Sequence, residues 1–155
     1  MSRMYSASFT DVAVSAIQDL WELNAPADSV VVIHSIVIGQ NSDYGDAAAE
    51  GLTLQLSRST GTSGSGGTTP TAAAHQVGDA AFGGTVEANN TTQATTTTVI
   101  RADAFNIQGG WVYQPTPEER IVISPSGRVV LELPSAPTPD AITMSSTITF
   151  EEIGG

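Results

Sequence analysis

Between residues 142 and 151 the chain alternates with a period of two: Ile142, Met144, Ile148 and Phe150 fall on one side, Thr143, Ser145, Thr147, Thr149 and Glu151 on the other. Side chains of a β-strand point to opposite faces in turn, so a pattern of this kind buries one face and leaves the other wet. Similar short runs, rich in β-branched residues and parted by Gly, Pro, Asn and Asp, recur along the sequence, and no stretch carries a convincing helical period. This argues against a helical bundle and against alternating β/α layers. It predicts a single all-β domain over residues 1–155, an antiparallel, jelly-roll-like β-sandwich of eight to ten strands. A chain of this length can bury roughly 70% of its unfolded surface, which is enough for a core without disulfide or metal staples.

The remaining strand candidates are uneven. Residues 4–14 place Tyr5, Ala7 and Phe9 on one face, and in 17–23 Ile17, Trp21 and Leu23 alternate with Gln18 and Glu22. Residues 30–40 are apolar on both faces, as expected of a central strand covered on each side. Leu52, Leu54 and Leu56 mark a half-buried strand, 74–82 a weaker strand or extended arm, and 86–102 a threonine-rich stretch that becomes strand towards its end. Strands are also expected at 110–114, 121–124 and 128–133, the last two joined as a hairpin by Ser124-Pro125-Ser126-Gly127. Residues 59–70 are nearly all Ser, Thr and Gly and read as a flexible surface loop, and residues 1–9 as an N-terminal arm. No internal repeat suggests a solenoid.

The chemistry available is limited. The chain has no cysteine, its histidines are His34 and His75, and its basic residues are five arginines, Arg3, Arg58, Arg101, Arg120 and Arg128, so lysine is absent. Nucleophile and base pairings and structural zinc sites both need residues this inventory scarcely holds, which predicts a non-enzyme without metal or cofactor. A net charge of -11 repels phosphate backbones and anionic bilayers, so neither nucleic acid nor membrane is expected as a partner. The first ten residues hold no apolar run of signal-peptide length, and 30–38 is too short to span a bilayer, which predicts a soluble protein made in a cytoplasm.

Individual candidates mostly have plain structural readings. Asn41-Ser42-Asp43-Tyr44-Gly45-Asp46 resembles a calcium loop, but it lacks the glycine and the bidentate glutamate at the required offsets and reads as a polar turn. Glu118 with Glu119, and Glu151 with Glu152, are adjacent carboxylates; neighbours on a strand face opposite ways, so neither pair suits glycoside chemistry. His34 in the most apolar segment reads as a hydrogen-bonded structural histidine, and Asn89 and Asn90 as ordinary loop polarity. Trp21, Tyr44, Trp111 and Tyr113 could form a sugar-stacking platform, or simply pack in the core.

Five stretches carry a resemblance over nearly the whole length: Met4-Tyr5-Ser6; Asp19-Leu20-Trp21-Glu22-Leu23; residues 78–87, beginning Gly78-Asp79-Ala80; residues 117–127, beginning Pro117-Glu118-Glu119-Arg120; and the terminal Phe150-Glu151-Glu152-Ile153-Gly154-Gly155. In these the chain resembles the small β-sandwich decoration, or cement, proteins of tailed-bacteriophage capsids. The resemblance implies a structural virion protein, made in the host bacterial cytoplasm and carried on the capsid exterior. Such a protein binds the major capsid protein, clamps neighbouring capsid subunits, needs no cofactor, and assembles as a homotrimer or, second, a dimer. Under that reading the N-terminal arm, with Arg3, Met4 and Tyr5, or the acidic turn with Glu118, Glu119 and Arg120, meets capsid or a sister subunit, because arginine makes bidentate bonds to carboxylates and is enriched at interfaces. A carbohydrate-binding β-sandwich module and a tail or spike subunit are the alternatives.

Overall fold

The strands of this chain fall into two antiparallel sheets, the arrangement of a jelly-roll-like sandwich. The computed structural model describes residues 1–42, 50–138 and 141–154. Its strands are β1 (Ser2–Val14), β2 (Gln18–Asn24), β3 (Ser29–Gln40), β4 (Gly51–Ser59), β5 (Ala73–Ala74), β6 (Thr85–Asn90), β7 (Thr97–Asn106), β8 (Trp111–Tyr113), β9 (Val122–Ile123), β10 (Arg128–Leu133) and β11 (Ile142–Gly154), with a 3-10 turn at Pro117–Glu119. One sheet runs β5-β1-β11-β3-β8, with β9 also paired to β3; the other runs β6-β2-β10-β4-β7. We call them the first and second sheets.

The predicted alternation explains the core. Tyr5, Phe9, Ile36, Ile148 and Phe150 of the first sheet face Trp21, Leu23, Leu54 and Leu131 of the second, all buried. Across the layers the Phe9 and Trp21 rings lie 5.1 Å apart, and the Trp21 indole N–H donates to Ser146 Oγ at 2.8 Å, so its polar atom is satisfied inside the apolar layer.

Several expectations change. Eleven strands form among the described residues rather than eight to ten, because the 86–102 stretch yields strand at its start, β6, as well as at its end, β7. Residues 1–9 are not a free arm: from Ser2 onward they belong to β1, which pairs with β11 from Ser2–Ile153 to Val14–Ile142, and Tyr5 is fully buried. The Ser124–Gly127 turn forms, with Ser126 at φ 61° and Gly127 N–H donating to Ser124 O at 2.8 Å, yet it is no hairpin, because β9 and β10 lie in opposite sheets. Within 74–82 only Ala74 is strand, with His75 N–H donating to Met4 O at 2.8 Å beside it, and Phe82 instead packs 4.8 Å from Phe150.

The Ser/Thr/Gly segment 59–70 is tied down. Thr68 and Ala88 exchange backbone hydrogen bonds of 2.9 and 2.8 Å, and Ser65 and Thr92 exchange bonds of 2.9 and 3.0 Å, so the segment covers the outer edge of β6. Its low apolar content did not leave it free, because backbone groups and short hydroxyls supply the bonds that side-chain burial would otherwise supply.

β3 gives the correction that matters most for function. Its inner residues Val31, Ile33, Ile36 and Ile38 are buried, as expected, but no layer of the described residues covers its other face. Val37 there is 47% exposed, beside Val112 of β8 at 59%.

Candidate functional site

The exposed outer face of the first sheet brings Met4, of the predicted interface residues, into one row with the strands that lead to Arg120. Strand register places Met4, Glu151, Val32 and Val122 in one row across β1, β11, β3 and β9. Adjacent strands are about 4.8 Å apart, so Met4 and Val122 lie roughly 14 Å apart on one surface. Val122 is 59% and Ile153 43% exposed, and Val37 with Val112 extends the aliphatic stripe along β3 and β8.

A charged cluster sits within the row. A bulge between Thr149 and Phe150 makes His34 the extra residue of β3, and its Nε2 lies 2.9 Å from Glu151 Oε2, while Ser2 Oγ donates to Glu151 Oε1. The Ser2 hydroxyl first, then His34 and Arg120, hold the Glu151 carboxyl below the usual carboxylate range. His34 is thus hydrogen-bonded, as the sequence indicated, but on the outer face. Neighbouring Glu152 turns inward, 3% exposed, with its Oε2 3.9 Å from Arg3 Nη1.

Arg3, Met4 and Tyr5 therefore do different things. Tyr5 cannot meet a partner: its ring lies between Phe82 and Phe150, with centroids 5.5 and 5.8 Å away, and its hydroxyl donates to Ala80 O at 2.9 Å. Arg3 serves its own chain through Glu152. Met4 alone of the three belongs to the outer row.

Glu118 and Glu119 stand exposed on the 3-10 turn, which is pinned by Glu119 N–H to Thr116 O at 3.0 Å and by Tyr113 hydroxyl to Glu119 O at 3.3 Å. Arg120 follows, with its Nε buried and without a hydrogen-bond partner among the described residues. Arg58, Ile100, Arg120 and Val122 line a groove between this turn and β7. The aliphatic contributors Val37, Val99, Ile100, Val112 and Val122 escaped the sequence reading, since exposure of a valine is decided by which strands lack a covering layer.

The sugar platform does not form from the described aromatics. Trp21 and Trp111 are 1% and 7% exposed and Tyr113 4%, so none presents an open ring face, and Tyr44 lies outside the described residues, as does the rest of the candidate calcium loop from residue 43. Among the described residues no three His, Asp or Glu converge on a metal-sized site.

The second sheet carries a buried polar network on its outer face. Glu22, 1% exposed, accepts from Gly64 N–H at 2.9 Å and from Ser63 Oγ, and lies 3.0 Å from Arg128 Nε. Asp19, fully buried, accepts from Ala94 N–H at 2.7 Å. Burial, followed by the Glu132 and Glu22 charges, pushes its carboxyl up to about 6 against the backbone bond that lowers it. Gln18 and Glu22, expected on a wet face, are buried because segment 59–70 and residues 89–94 fold over them.

No family model, curated protein or solved structure matches the chain. Function therefore rests on the surface itself.

Proposed function

We propose that this protein is a structural module that docks on a protein assembly through the outer face of its first sheet, and that the assembly is the outer surface of a tailed-phage capsid, with the major capsid protein as partner. The observation that carries docking is β3: a strand apolar on both faces, with one of them uncovered and flanked by exposed Val112 and Val122. An aliphatic stripe rimmed by charged groups, here Glu118, Glu119, Arg120 and the His34–Glu151 pair, has the composition of an interaction surface. The choice of capsid comes from the resemblance of the five sequence stretches to decoration proteins. Acidic charge and a Ser/Thr surface suit a protein displayed in many copies. A ligand that binds the assembled shell and not its free subunits stabilises the shell by mass action, without chemistry.

The test is co-sedimentation with assembled tailed-phage shells. The wild type should pellet with shells and stay soluble alone, while Val37→Asp/Val122→Asp, which keeps the core intact, should stay in the supernatant with an unchanged unfolding midpoint. Failure of the wild type to pellet, or pelleting of the variant at the wild-type level, overturns the proposal.

A further inference from the structure

We propose that β7 is a self-pairing edge: two copies of this chain join their β7 strands antiparallel about a two-fold axis through Ala102, fusing two second sheets into one continuous sheet. An edge strand presents unpaired backbone N–H and C=O groups, and natural sheets blunt such edges or use them. The other edges here are blunted. β8 and β9 have three and two residues. The edge of β6 is covered by segment 59–70, and β1 is covered by β5 at Tyr5 and Ser6 and bulged past Phe9, with Asp11 at φ 54°. β7 has ten residues, pairs only with β4 among the described residues, carries a bulge at Ile100 but pairs regularly from Arg101 to Asn106, and leaves Val99 48% and Ile100 45% exposed.

The charges on β7 select the partner and the register. A two-fold axis normal to the sheet pairs each residue with one on the same face of the other copy, so the strand must centre on a residue. Centring on Ala102 sets Arg101 opposite the second copy's Asp103, and Asp103 opposite its Arg101. Moving the centre to Arg101 or Asp103 sets like charges face to face, which is unfavourable. Both groups have capacity for a second bond. Arg101 uses Nε on Asp103 Oδ2 at 2.6 Å, and Asp103 Oδ2 also accepts from the Trp111 indole at 3.2 Å. The Arg101 terminal nitrogens and Asp103 Oδ1 have no hydrogen-bond partner among the described residues. Tyr113 lies below the guanidinium at 5.8 Å and helps hold it at the rim.

This pairing does not depend on capsid docking, but it has a geometric consequence for it. An axis normal to the second sheet keeps both first sheets on the same side, so two docking faces would point one way and could bind a surface bivalently.

The experiment is native mass by light scattering on a size-exclusion column, from low to high micromolar concentration, for the wild type, Arg101→Glu and Asp103→Arg. The wild type should reach twice the chain mass. Each variant alone should remain a monomer, because each sets like charges in opposition at both positions. Mixing the two variants should restore a dimer. The glutamate introduced at position 101 of one copy then faces the arginine introduced at position 103 of the other, while the unchanged Asp103 of the first faces the unchanged Arg101 of the second. An interaction confined to one chain cannot produce rescue on mixing. Amide exchange supplies a readout free of substitutions: protection over 100–104 should rise with wild-type concentration. A wild type that stays monomeric throughout, that forms only trimers, or whose variants fail to rescue one another overturns the proposal.

Discussion

Arg128 Nε lies 3.0 Å from Glu22 Oε1, and the same guanidinium reaches Gly61 O at 2.8 Å, so one side chain joins β10, β2 and the Ser/Thr/Gly segment on the outside of the second sheet. Glu22 is 1% exposed and Arg128 21%, which makes this ion pair unlike a surface bridge. Replacing a buried pair by apolar groups is often neutral, but removing one partner leaves the other charge without compensation. Arg128→Met should therefore cost about 3–5 kcal/mol in urea unfolding and open segment 59–70 to proteolysis. A loss below about 1 kcal/mol, the range of exposed pairs, would show that Glu22 is solvated in solution.

Asp19 makes stability depend on pH in the direction opposite to the usual carboxylate. Its folded carboxyl titrates near 6, above the ordinary 3.8, so the folded state holds the proton more tightly than the unfolded chain does. The stabilisation by protonation is complete below the unfolded value and is lost as pH rises through about 6. Glu151 works the other way: its lowered carboxyl favours folding above the ordinary value and loses that contribution as pH falls through the folded one. Denaturant midpoints should thus rise as pH falls from neutral towards about 5, and Asp19→Asn, which removes the charge and keeps an acceptor for Ala94 N–H, should flatten that rise.

The sandwich was legible in the sequence because period-two patterning reports directly on which side of a strand is buried, as in β11 and in Tyr5, Ala7 and Phe9 of β1. Pairing partners were not. Ser124-Pro125-Ser126-Gly127 specifies a tight turn, but a local turn does not determine whether the strands leaving it join one sheet, and here they part into two. Burial of Gln18, Asp19 and Glu22 was hidden for a similar reason: it depends on segments 59–70 and 89–94, distant in sequence, lying across β2. Of the predicted interface residues, Met4 and Arg120 reached one surface because β1, β11, β3 and β9 are neighbours, a relation no local pattern carries.

The burial of Tyr5 changes what an N-terminal truncation measures. Deleting residues 1–8 removes the β1 half that pairs with β11 from Ser2–Ile153 to Ser8–Thr147, together with the Tyr5 ring between Phe82 and Phe150. The truncated chain should fail to give a cooperative unfolding transition, so loss of capsid binding in it would carry no information about contacts. Tyr5→Ala alone should cost about 3–5 kcal/mol, the range for large aromatic truncations in a core. Met4→Ala, on the outer row, should leave the midpoint within about 0.5 kcal/mol of wild type and is the substitution that tests this end of the surface.

Gly67 explains why segment 59–70 is built from the smallest residues. A Cβ at this position would lie 2.2 Å from Ala88 O and 2.6 Å from Asn90 Oδ1, far inside contact distance and against backbone. The neighbouring Thr68 exchanges two backbone hydrogen bonds with Ala88, so the close approach is what lets the segment act as an extra strand on the edge of β6. Gly67→Ala should push the segment off that edge, at a cost of about 1–3 kcal/mol from overpacking. It should also unprotect the amide of Ala88 in hydrogen exchange. Uncovered strand edges template intermolecular pairing, so the variant should in addition aggregate faster at neutral pH than the wild type. If Ala88 stays protected and solubility is unchanged, the covering of β6 does not depend on glycine at 67.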